Sequence, residues 1–261
     1  MTEQTPPEED HVPLPGVRDL SPAAPWRWLR AGWADFRRAP AHSFAYGAIL
    51  VLASYAITGV MILTGNWVFM FSLLTGFMLI APVLAFALYE TSRRLQLGQP
   101  PSIAGSLQAV RSNFGNELIF AVVLLIVLLV WARAAAMVHV FFPALSDPSL
   151  YQLVAFFSIG TAVGAVFAAV AFAVSAFSLP MMMDRRADVI SAVITSFMAV
   201  LRNKGVMVIW AALILISVLV GFATAYLGLV ITLPVIGYAT WHAYQDTIEA
   251  PGATEREGDS G

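Results

Sequence analysis

The chain contains no cysteine and few charged residues. Only 11% of its 261 residues are charged and 59% are apolar, whereas about 25% of the residues in an ordinary soluble domain are charged. The lack of cysteine excludes disulfide bonds, thiolate metal sites and cysteine nucleophiles. The lack of charge excludes a soluble fold, because a globular domain of this size could not bury so much apolar surface. A net charge of −2 gives no indication of a nucleic-acid partner.

Three long segments lack charge altogether, and their lengths predict the number of membrane spans. Residues 39–89, 148–183 and 205–245 contain no Lys, Arg, Asp or Glu. Since about 20 apolar residues cross about 30 Å of hydrocarbon, the first segment holds two spans, the second one and the third two. A further span lies between Glu117 and Asp147. The six spans are predicted at residues 43–64, 67–89, 117–139, 153–179, 206–225 and 228–245.

The basic residues predict the orientation of these spans. With both termini in the cytoplasm, 13 of the 14 Lys and Arg residues lie on the inner side and only Arg133 lies on the outer side. This asymmetry follows the positive-inside rule. The N-terminus is acidic and rich in proline, without the apolar core of a signal peptide. We therefore expect a multi-pass protein of the bacterial inner membrane with cytoplasmic termini.

Apolar residues at helical spacing precede each odd-numbered span. Their positions are Trp26, Leu29, Trp33 and Phe36 in the first stretch, Ile103, Leu107, Val110 and Phe114 in the second, and Ile190, Ile194 (or Val193), Phe197 and Leu201 in the third. Steps of three and four residues draw one apolar stripe along a helix. Each stretch is predicted to be an amphipathic helix that ends at a short polar break. Such helices either lie in the headgroup layer or pack under the bundle as connectors.

An amphipathic helix followed by a hairpin of two spans thus recurs three times. The predicted fold is an all-α, six-span transmembrane helical bundle built from three parallel repeats. The repeats cover about 26–98, 99–186 and 187–246, and together they form one membrane domain, 26–246. Residues 1–25 and 247–261 are predicted to be disordered tails.

Six polar or aromatic residues fall at the inner ends of spans two, four and six. They are Tyr89, Glu90, Asp184, Trp241, His242 and Asp246. Carboxylates beside a histidine can form a proton relay or a metal site, but ordinary helix ends have the same composition. No catalytic, cofactor or metal-binding motif is found, so no enzyme activity and no cofactor are predicted. No histidine lies in the middle of a span, which argues against a buried haem.

Two further features concern the helices themselves. Pro82 and Pro234 lie in the middle of spans two and six, where each leaves a carbonyl without its helical donor. They indicate either a hinge beside a substrate site or a fixed kink that aids packing. Gly160, Gly164 and Ala168 follow one another at four-residue steps and predict a close helix contact. That contact is either internal or the seam of a homodimer.

These features favour a non-enzymatic scaffold, assembly factor or lipid-organising protein. Its expected partners are the lipid bilayer, anionic lipids at the inner face, and a second membrane protein or a second copy of the chain. The alternative is a small transporter or channel that uses the proline-broken spans two and six. A redox or haem-associated subunit is a third, weaker hypothesis.

Four motifs resemble those of one bacterial membrane-protein family. They are Gly76-Phe-Met-Leu-Ile-Ala-Pro82, Leu88-Tyr-Glu-Thr-Ser-Arg-Arg94, Ser178-Leu-Pro-Met-Met-Met-Asp-Arg185 and Ala239-Thr-Trp-His-Ala-Tyr244. The chain is similar over about residues 26–246 to the family called domain of unknown function 2189 (DUF2189). The resemblance implies a multi-pass membrane topology and no particular activity.

Overall fold

A computed structural model of the chain describes residues 15–66, 73, 84–141, 149–185 and 187–249. These residues are nearly all helical, and the only β-type pairing among them is one isolated bridge, between Val17 and Ile248. The all-α prediction is therefore confirmed for this part of the chain. Its helices are α1 (Ala24–Arg38), α2 (Pro40–Thr64), α3 (residues 84–96), α4 (Ile103–Phe141), α5 (Leu150–Ser175), α6 (Ser178–Arg185), α7 (Val189–Arg202), α8 (Lys204–Ala223) and α9 (Leu229–Thr247).

Four segments of the described chain are long and apolar enough to cross a membrane. They are Pro40–Thr64, Phe114–Met137, Leu150–Arg185 and Lys204–Ala223, and they coincide with predicted spans one, three, four and five. Predicted span six coincides with α9, which is a helix but is not among these four segments. Predicted span two lies mostly outside the described residues. The full six-span topology and its threefold repeat therefore stay predictions.

The second predicted amphipathic helix is not separated from its span. α4 runs without interruption for 39 residues, or about 58 Å at 1.5 Å per residue. The second of the three predicted polar breaks would fall at residues 111–113, just after Val110. That prediction is wrong, since Arg, Ser and Asn do not by themselves end a helix. The other two breaks are present, because Ala39 (φ −128°, ψ 54°) and Asn203 (φ −111°, ψ 36°) leave the helical conformation.

α1 lies antiparallel along the C-terminal half of α9. Trp28 contacts Asp246 near the start of α1, and Phe36 packs with Tyr238 near its end. Between these contacts the two backbones approach closely, because a Cβ at Gly32 would lie 2.8 Å from the backbone nitrogen of Ala239. Glycine is therefore required where α1 crosses α9.

α2 continues along the N-terminal half of α9. The hydroxyl groups of Ser43 and Tyr238 are 2.9 Å apart. Pro234 is buried within α9 and has no N–H to donate to the carbonyl of Val230. That carbonyl faces Gly47, where a Cβ would lie 2.7 Å from Val230 Cα and closer still to the carbonyl oxygen. This contact supports a fixed kink that aids packing at Pro234. Pro82 lies outside the described residues.

Both ends of the described chain are fixed to the bundle. The backbone N–H of Arg18 donates to the Thr247 carbonyl, and that of Glu249 donates to the Gly16 carbonyl, both at 2.9 Å. The side chain of Asn203 accepts from the N–H of Leu20 at 2.8 Å and donates to the Arg18 carbonyl at 3.0 Å. Residues 16–20, which fall within the predicted N-terminal tail, therefore contact the bundle, and residues 1–14 lie outside the described residues.

Asp188 caps the N-terminus of α7, and its ionisation should be measurable in the stability of that helix. Its carboxylate accepts from the Ser191 N–H at 2.9 Å, and hydrogen bonding from the Ser191 side chain and then from its backbone N–H lowers the pKa of Asp188. The pKa of Asp188 is lower in the folded protein than in the unfolded chain, where it is about 3.9. The ionised cap therefore stabilises the helix at pH values above the unfolded pKa, and this stabilisation is lost as the pH falls through the folded pKa.

We expect Asp188→Ala to destabilise α7 by about 1 kcal/mol at pH 7 and by less below about pH 4. Hydrogen exchange of the α7 amides measures this, with Asp188→Asn as the control that keeps a capping acceptor without an ionisable group. An equal loss of protection at both pH values would contradict the assignment.

Candidate functional site at the basic end

One end of the bundle gathers nearly all the basic residues. Its segments are residues 15–38, 89–112, 183–204 and 241–249, which are linked by the hydrogen bonds described below; we call this the basic end. Every Lys and Arg in the described part of the chain belongs to these segments except Arg133, which is exposed on α4.

A buried carboxylate joins three helices at the basic end. Asp35 in α1 is 3% exposed. Its Oδ2 accepts from the Ser92 hydroxyl of α3 at 2.6 Å and from Nε2 of His242 in α9 at 2.8 Å, while Nη1 of Arg38 lies 3.8 Å from Oδ1. These partners offset the cost of removing the charge from water. Asp35 therefore connects α1, α3 and α9.

The neighbours of His242 determine the tautomer of its neutral imidazole. Nε1 of Trp241 donates to Oε1 of Gln96 at 2.8 Å, and an indole nitrogen can only donate. Gln96 must therefore present its amide nitrogen to Nδ1 of His242, 3.1 Å away. Nδ1 accepts that bond, so the proton of the neutral imidazole is on Nε2, which donates to Asp35.

The tautomer of His242 can be observed directly. We expect the nitrogen NMR spectrum of histidine-labelled protein at neutral pH to show a protonated Nε2 and a bare Nδ1 for this residue, because Gln96 donates to Nδ1. A His242→Gln variant assigns the signal. A proton found on Nδ1 would contradict the relay from Trp241 through Gln96.

Ser92, His242 and Asp35 are the residue types of a hydrolase triad, but their arrangement is different. In such a triad the serine hydroxyl donates to the histidine, which is oriented by the carboxylate. Here both Ser92 and His242 donate to the same oxygen of Asp35, and the Ser92 oxygen is 3.4 Å from the protonated Nε2. The other imidazole nitrogen accepts from Gln96. The network thus joins α1, α3 and α9, and His242 presents no unprotonated nitrogen to the serine.

A polar cavity of about 380 Å³ also lies at the basic end. Glu90 in its wall is 4% exposed. Both of its oxygens accept from the Arg93 guanidinium, at 2.7 and 3.0 Å, and this carboxylate raises the pKa of Arg93. Nη1 of Arg94 is 3.9 Å from Glu90, and its Nε donates to the Pro100 carbonyl at 2.9 Å. The lining comprises Glu90, Arg93, Arg94, Gly105, Gln108, Ala109, Ser112, Met183 and Asp184.

Two more carboxylates fix α9 at this end. The Tyr244 hydroxyl donates to Asp184 Oδ2 and accepts from Nε of Arg185, each at 2.8 Å. On the other side of α9, Asp246 Oδ2 accepts from Nε1 of Trp28 at 2.9 Å and from Arg27 at 3.0 Å. The C-terminal turns of α9 are thus held to both α1 and α6.

The structure brings the six predicted polar residues to the basic end, but not into one cluster. Trp241 and His242 belong to the Asp35 network, Glu90 and Asp184 line the cavity, and Asp246 holds α1. The sixth, Tyr89, packs in the main apolar core. Within the described chain, no group of three or more His, Asp or Glu residues is placed to hold a metal ion.

Sequence reasoning missed several residues that make these contacts. Asp35, Ser92 and Gln96 complete the buried network, and Arg94 completes the cavity. One signal for this network was available in the sequence. Asp35 is an acidic residue seven positions after Trp28, which places both on the same face of an amphipathic helix. Glu117 of α4 was also missed; it is 2% exposed, and neither of its carboxylate oxygens has a hydrogen-bond partner in the described residues.

The predicted small-residue face lies partly toward α4. Gly164 and Ala168 line a second, apolar cavity of about 330 Å³ between α4 and α5, together with Trp131. A Cβ at Gly164 would lie 3.9 Å from the indole nitrogen of Trp131, whereas a Cβ at Gly160 would meet nothing within 4 Å. Gly164 therefore takes part in a contact within the chain, whereas Gly160 has no neighbour in the described residues at this distance.

All nine residues that line the polar cavity fall between Glu90 and Asp184, and this part of the chain is the part with recognisable relatives. Residues 69–184 match DUF2189, described as "Predicted integral membrane protein". The DUF2189 segment is less than half of the chain and contains α3 to α5 and α6 up to Asp184. The resemblance noted in the sequence is thereby confirmed over these residues.

No curated protein and no solved structure matches the chain. The DUF2189 match and the four apolar helices together indicate an integral membrane protein. The polar cavity lies wholly within the DUF2189 segment, whereas the Asp35 network takes α1 and α9 from outside it.

Proposed function

We propose that this protein is a non-enzymatic scaffold of the bacterial inner membrane that organises lipids at the cytoplasmic face. Both termini and the basic end lie on that face in this proposal, because Lys and Arg accumulate on the cytoplasmic side of membrane proteins. The observation that carries the proposal is the exposure of the three apolar stripes at the basic end.

Most of the large apolar side chains in these stripes are exposed. α1 buries Trp28, Gly32 and Asp35 and leaves Trp26 and Trp33 57% and 44% exposed. Of the predicted stripe positions, Phe36 and Val110 are buried. The remaining positions with large exposed side chains are Ile103, Leu107, Phe114, Ile190, Ile194, Phe197 and Leu201. This supports α1 and α7 as helices that lie in the headgroup layer, since connectors packed under the bundle would bury these side chains. The second stretch is continuous with its span in α4 and would pass through this layer lengthwise.

Exposed basic side chains accompany the stripes. Arg30 and Arg37 are exposed on α1, Arg111 on α4 and Arg202 on α7. Cations placed next to interfacial aromatic and aliphatic residues attract the phosphates of anionic lipids. The buried Asp35 network supports the scaffold role, because it holds α1 in one position relative to α3 and α9.

Purification of the full chain from native membranes in mild detergent tests the proposal. Mass spectrometry of the preparation should find specific lipids or a membrane-protein partner enriched over the bulk membrane. A monomer that is recovered alone and with bulk lipid composition would contradict the scaffold role.

A visible absorption spectrum of the same sample tests the haem hypothesis, since haem absorbs visible light strongly.

A further inference from the structure

The polar cavity is built for a small molecule that carries both charges. Its volume of about 380 Å³ is within the range of small-ligand pockets, about 300–1,000 Å³. Two guanidinium groups, of Arg93 and Arg94, and two carboxylates, of Glu90 and Asp184, line it. The lining has no net charge, so its complement is a ligand with one positive and one negative group.

The four charged side chains differ in how far their hydrogen-bonding capacity is used within the described part of the protein. Glu90 and Arg93 are joined by two hydrogen bonds. Arg94, whose side chain is 22% exposed, uses Nε for a backbone carbonyl and has only a 3.9 Å ion pair at Nη1. Asp184 accepts at Oδ2, while its Oδ1 has no hydrogen bond to the described part of the chain. Arg94 and Asp184 are therefore the charges with capacity for a ligand.

The cavity lies where lipid headgroups are expected. Its α4 residues, Gly105 to Ser112, immediately precede the apolar segment that begins at Phe114. Asp184 is next to the end of the apolar segment Leu150–Arg185. A ligand in the cavity would thus be level with the ends of two candidate spans, at the boundary between hydrocarbon and water.

We propose that this cavity binds the zwitterionic headgroup of a phosphoethanolamine lipid, with the phosphate at Arg94 and the primary ammonium at Asp184. The inference rests on the proposed placement of the basic end at the membrane surface. A guanidinium matches phosphate oxygens through paired N–H donors, and an ammonium group donates hydrogen bonds to a carboxylate.

The lining also discriminates against the other common headgroups. A choline ammonium has no N–H to donate and is recognised by aromatic rings, and none of the nine lining residues is aromatic. A headgroup with only negative charge could bind Arg94 but would bring no cation to the Asp184 carboxylate. Gly105 contributes space, because a Cβ there would lie 3.0 Å from Nη1 of Arg94.

Native mass spectrometry of the full-length protein can measure lipid retention directly. The probes are phosphatidylethanolamine, phosphatidylcholine and phosphatidylglycerol with identical acyl chains, supplied in equal amounts. We expect the protein to retain about tenfold more phosphatidylethanolamine than either competitor. This ratio is the effect of one charge-assisted hydrogen bond in a site that is partly shielded from water. Equal retention of the three lipids, or preference for phosphatidylglycerol, would overturn the proposal.

Two variants and a control connect the preference to the cavity. Asp184→Asn should remove the preference for ethanolamine over choline, and Arg94→Gln should lower retention of both lipids. Arg18→Gln is the control, since Arg18 is exposed at the basic end and does not line the cavity. An unchanged preference in Asp184→Asn would place the lipid elsewhere and overturn the site.

A soluble competitor separates a lipid from a free ligand. Inorganic phosphate and phosphoethanolamine without acyl chains should displace little lipid, because acyl chains hold the headgroup at the surface. If either soluble compound displaced the bound lipid completely, the proposal that the cavity binds a lipid would be contradicted. If the protein showed no preference among the three lipids while the apolar stripes still contacted the membrane, only the lipid site would be contradicted. If the apolar stripes were instead exposed to water, the scaffold proposal would be contradicted.

Discussion

Gly47→Ala is expected to lower the free energy of unfolding by about 2 kcal/mol or more. The added methyl group would lie 2.7 Å from Val230 Cα and 2.8 Å from its carbonyl carbon. Because these are backbone atoms of α9, neither can move aside as a flexible side chain would, and α2 must shift away from α9. Unfolding in a detergent mixture with increasing sodium dodecyl sulfate, followed by circular dichroism, measures the change.

The matched control for Gly47→Ala is in the same helix. A Cβ at Gly59 of α2 would meet nothing within 4 Å, so Gly59→Ala should be neutral or stabilising by up to about 1 kcal/mol through helix propensity. If both variants had the same stability, α2 and α9 would not be in backbone contact beside Pro234, and a mobile hinge would replace the fixed kink.

Asp35→Ala is expected to cost about 2–5 kcal/mol, because two donors lose their acceptor and each buried donor left unpaired costs about 1–3 kcal/mol. The change leaves the protonated Nε2 of His242 and the hydroxyl of Ser92 without their acceptor, both of which contact Asp35 Oδ2 within 2.8 Å. The same unfolding assay measures it. Hydrogen exchange should show the greatest loss of protection in α1.

A double-mutant cycle isolates the contact between α1 and α9. Once His242→Ala has been made, Asp35→Ala should cost clearly less, because one of the two hydrogen bonds is already absent. Asp19→Ala is the control: Asp19 is exposed, and its ion pair with Arg202 is at the surface, where such pairs contribute little. Full additivity of Asp35→Ala and His242→Ala would contradict the network.

Periodicity predicted the helices well because it is a local property. The apolar spacing of α7 and the charge-free segment of α2 each indicated a helix where one is found. The same spacing could not show which side of α1 is buried, because that depends on α9, more than 200 residues later. Trp28, Gly32 and Asp35 face α9, while the aromatic residues Trp26 and Trp33 are exposed.

The candidate site was harder to predict for the same reason. His242 and Trp241 were identified at the end of a predicted span, but their partners, Asp35 and Gln96, come from segments that only the tertiary fold brings together. Polar residues at helix ends occur in every membrane protein, so composition alone does not reveal which of them are buried. Glu90 was predicted as part of one cluster and instead lines the cavity with Arg94.

Nitroxide labels in lipid bilayers test the central claim, which is that the apolar stripes at the basic end contact the membrane. Because the chain has no cysteine, single variants such as Trp33→Cys, Leu107→Cys and Ile194→Cys can be labelled without background. All three positions are exposed, and Gln245→Cys provides an exposed polar control at the same end. We predict that the three labels collide more with dissolved oxygen and less with a water-soluble nickel chelate than the label at residue 245. Equal nickel access at all four positions would contradict the account.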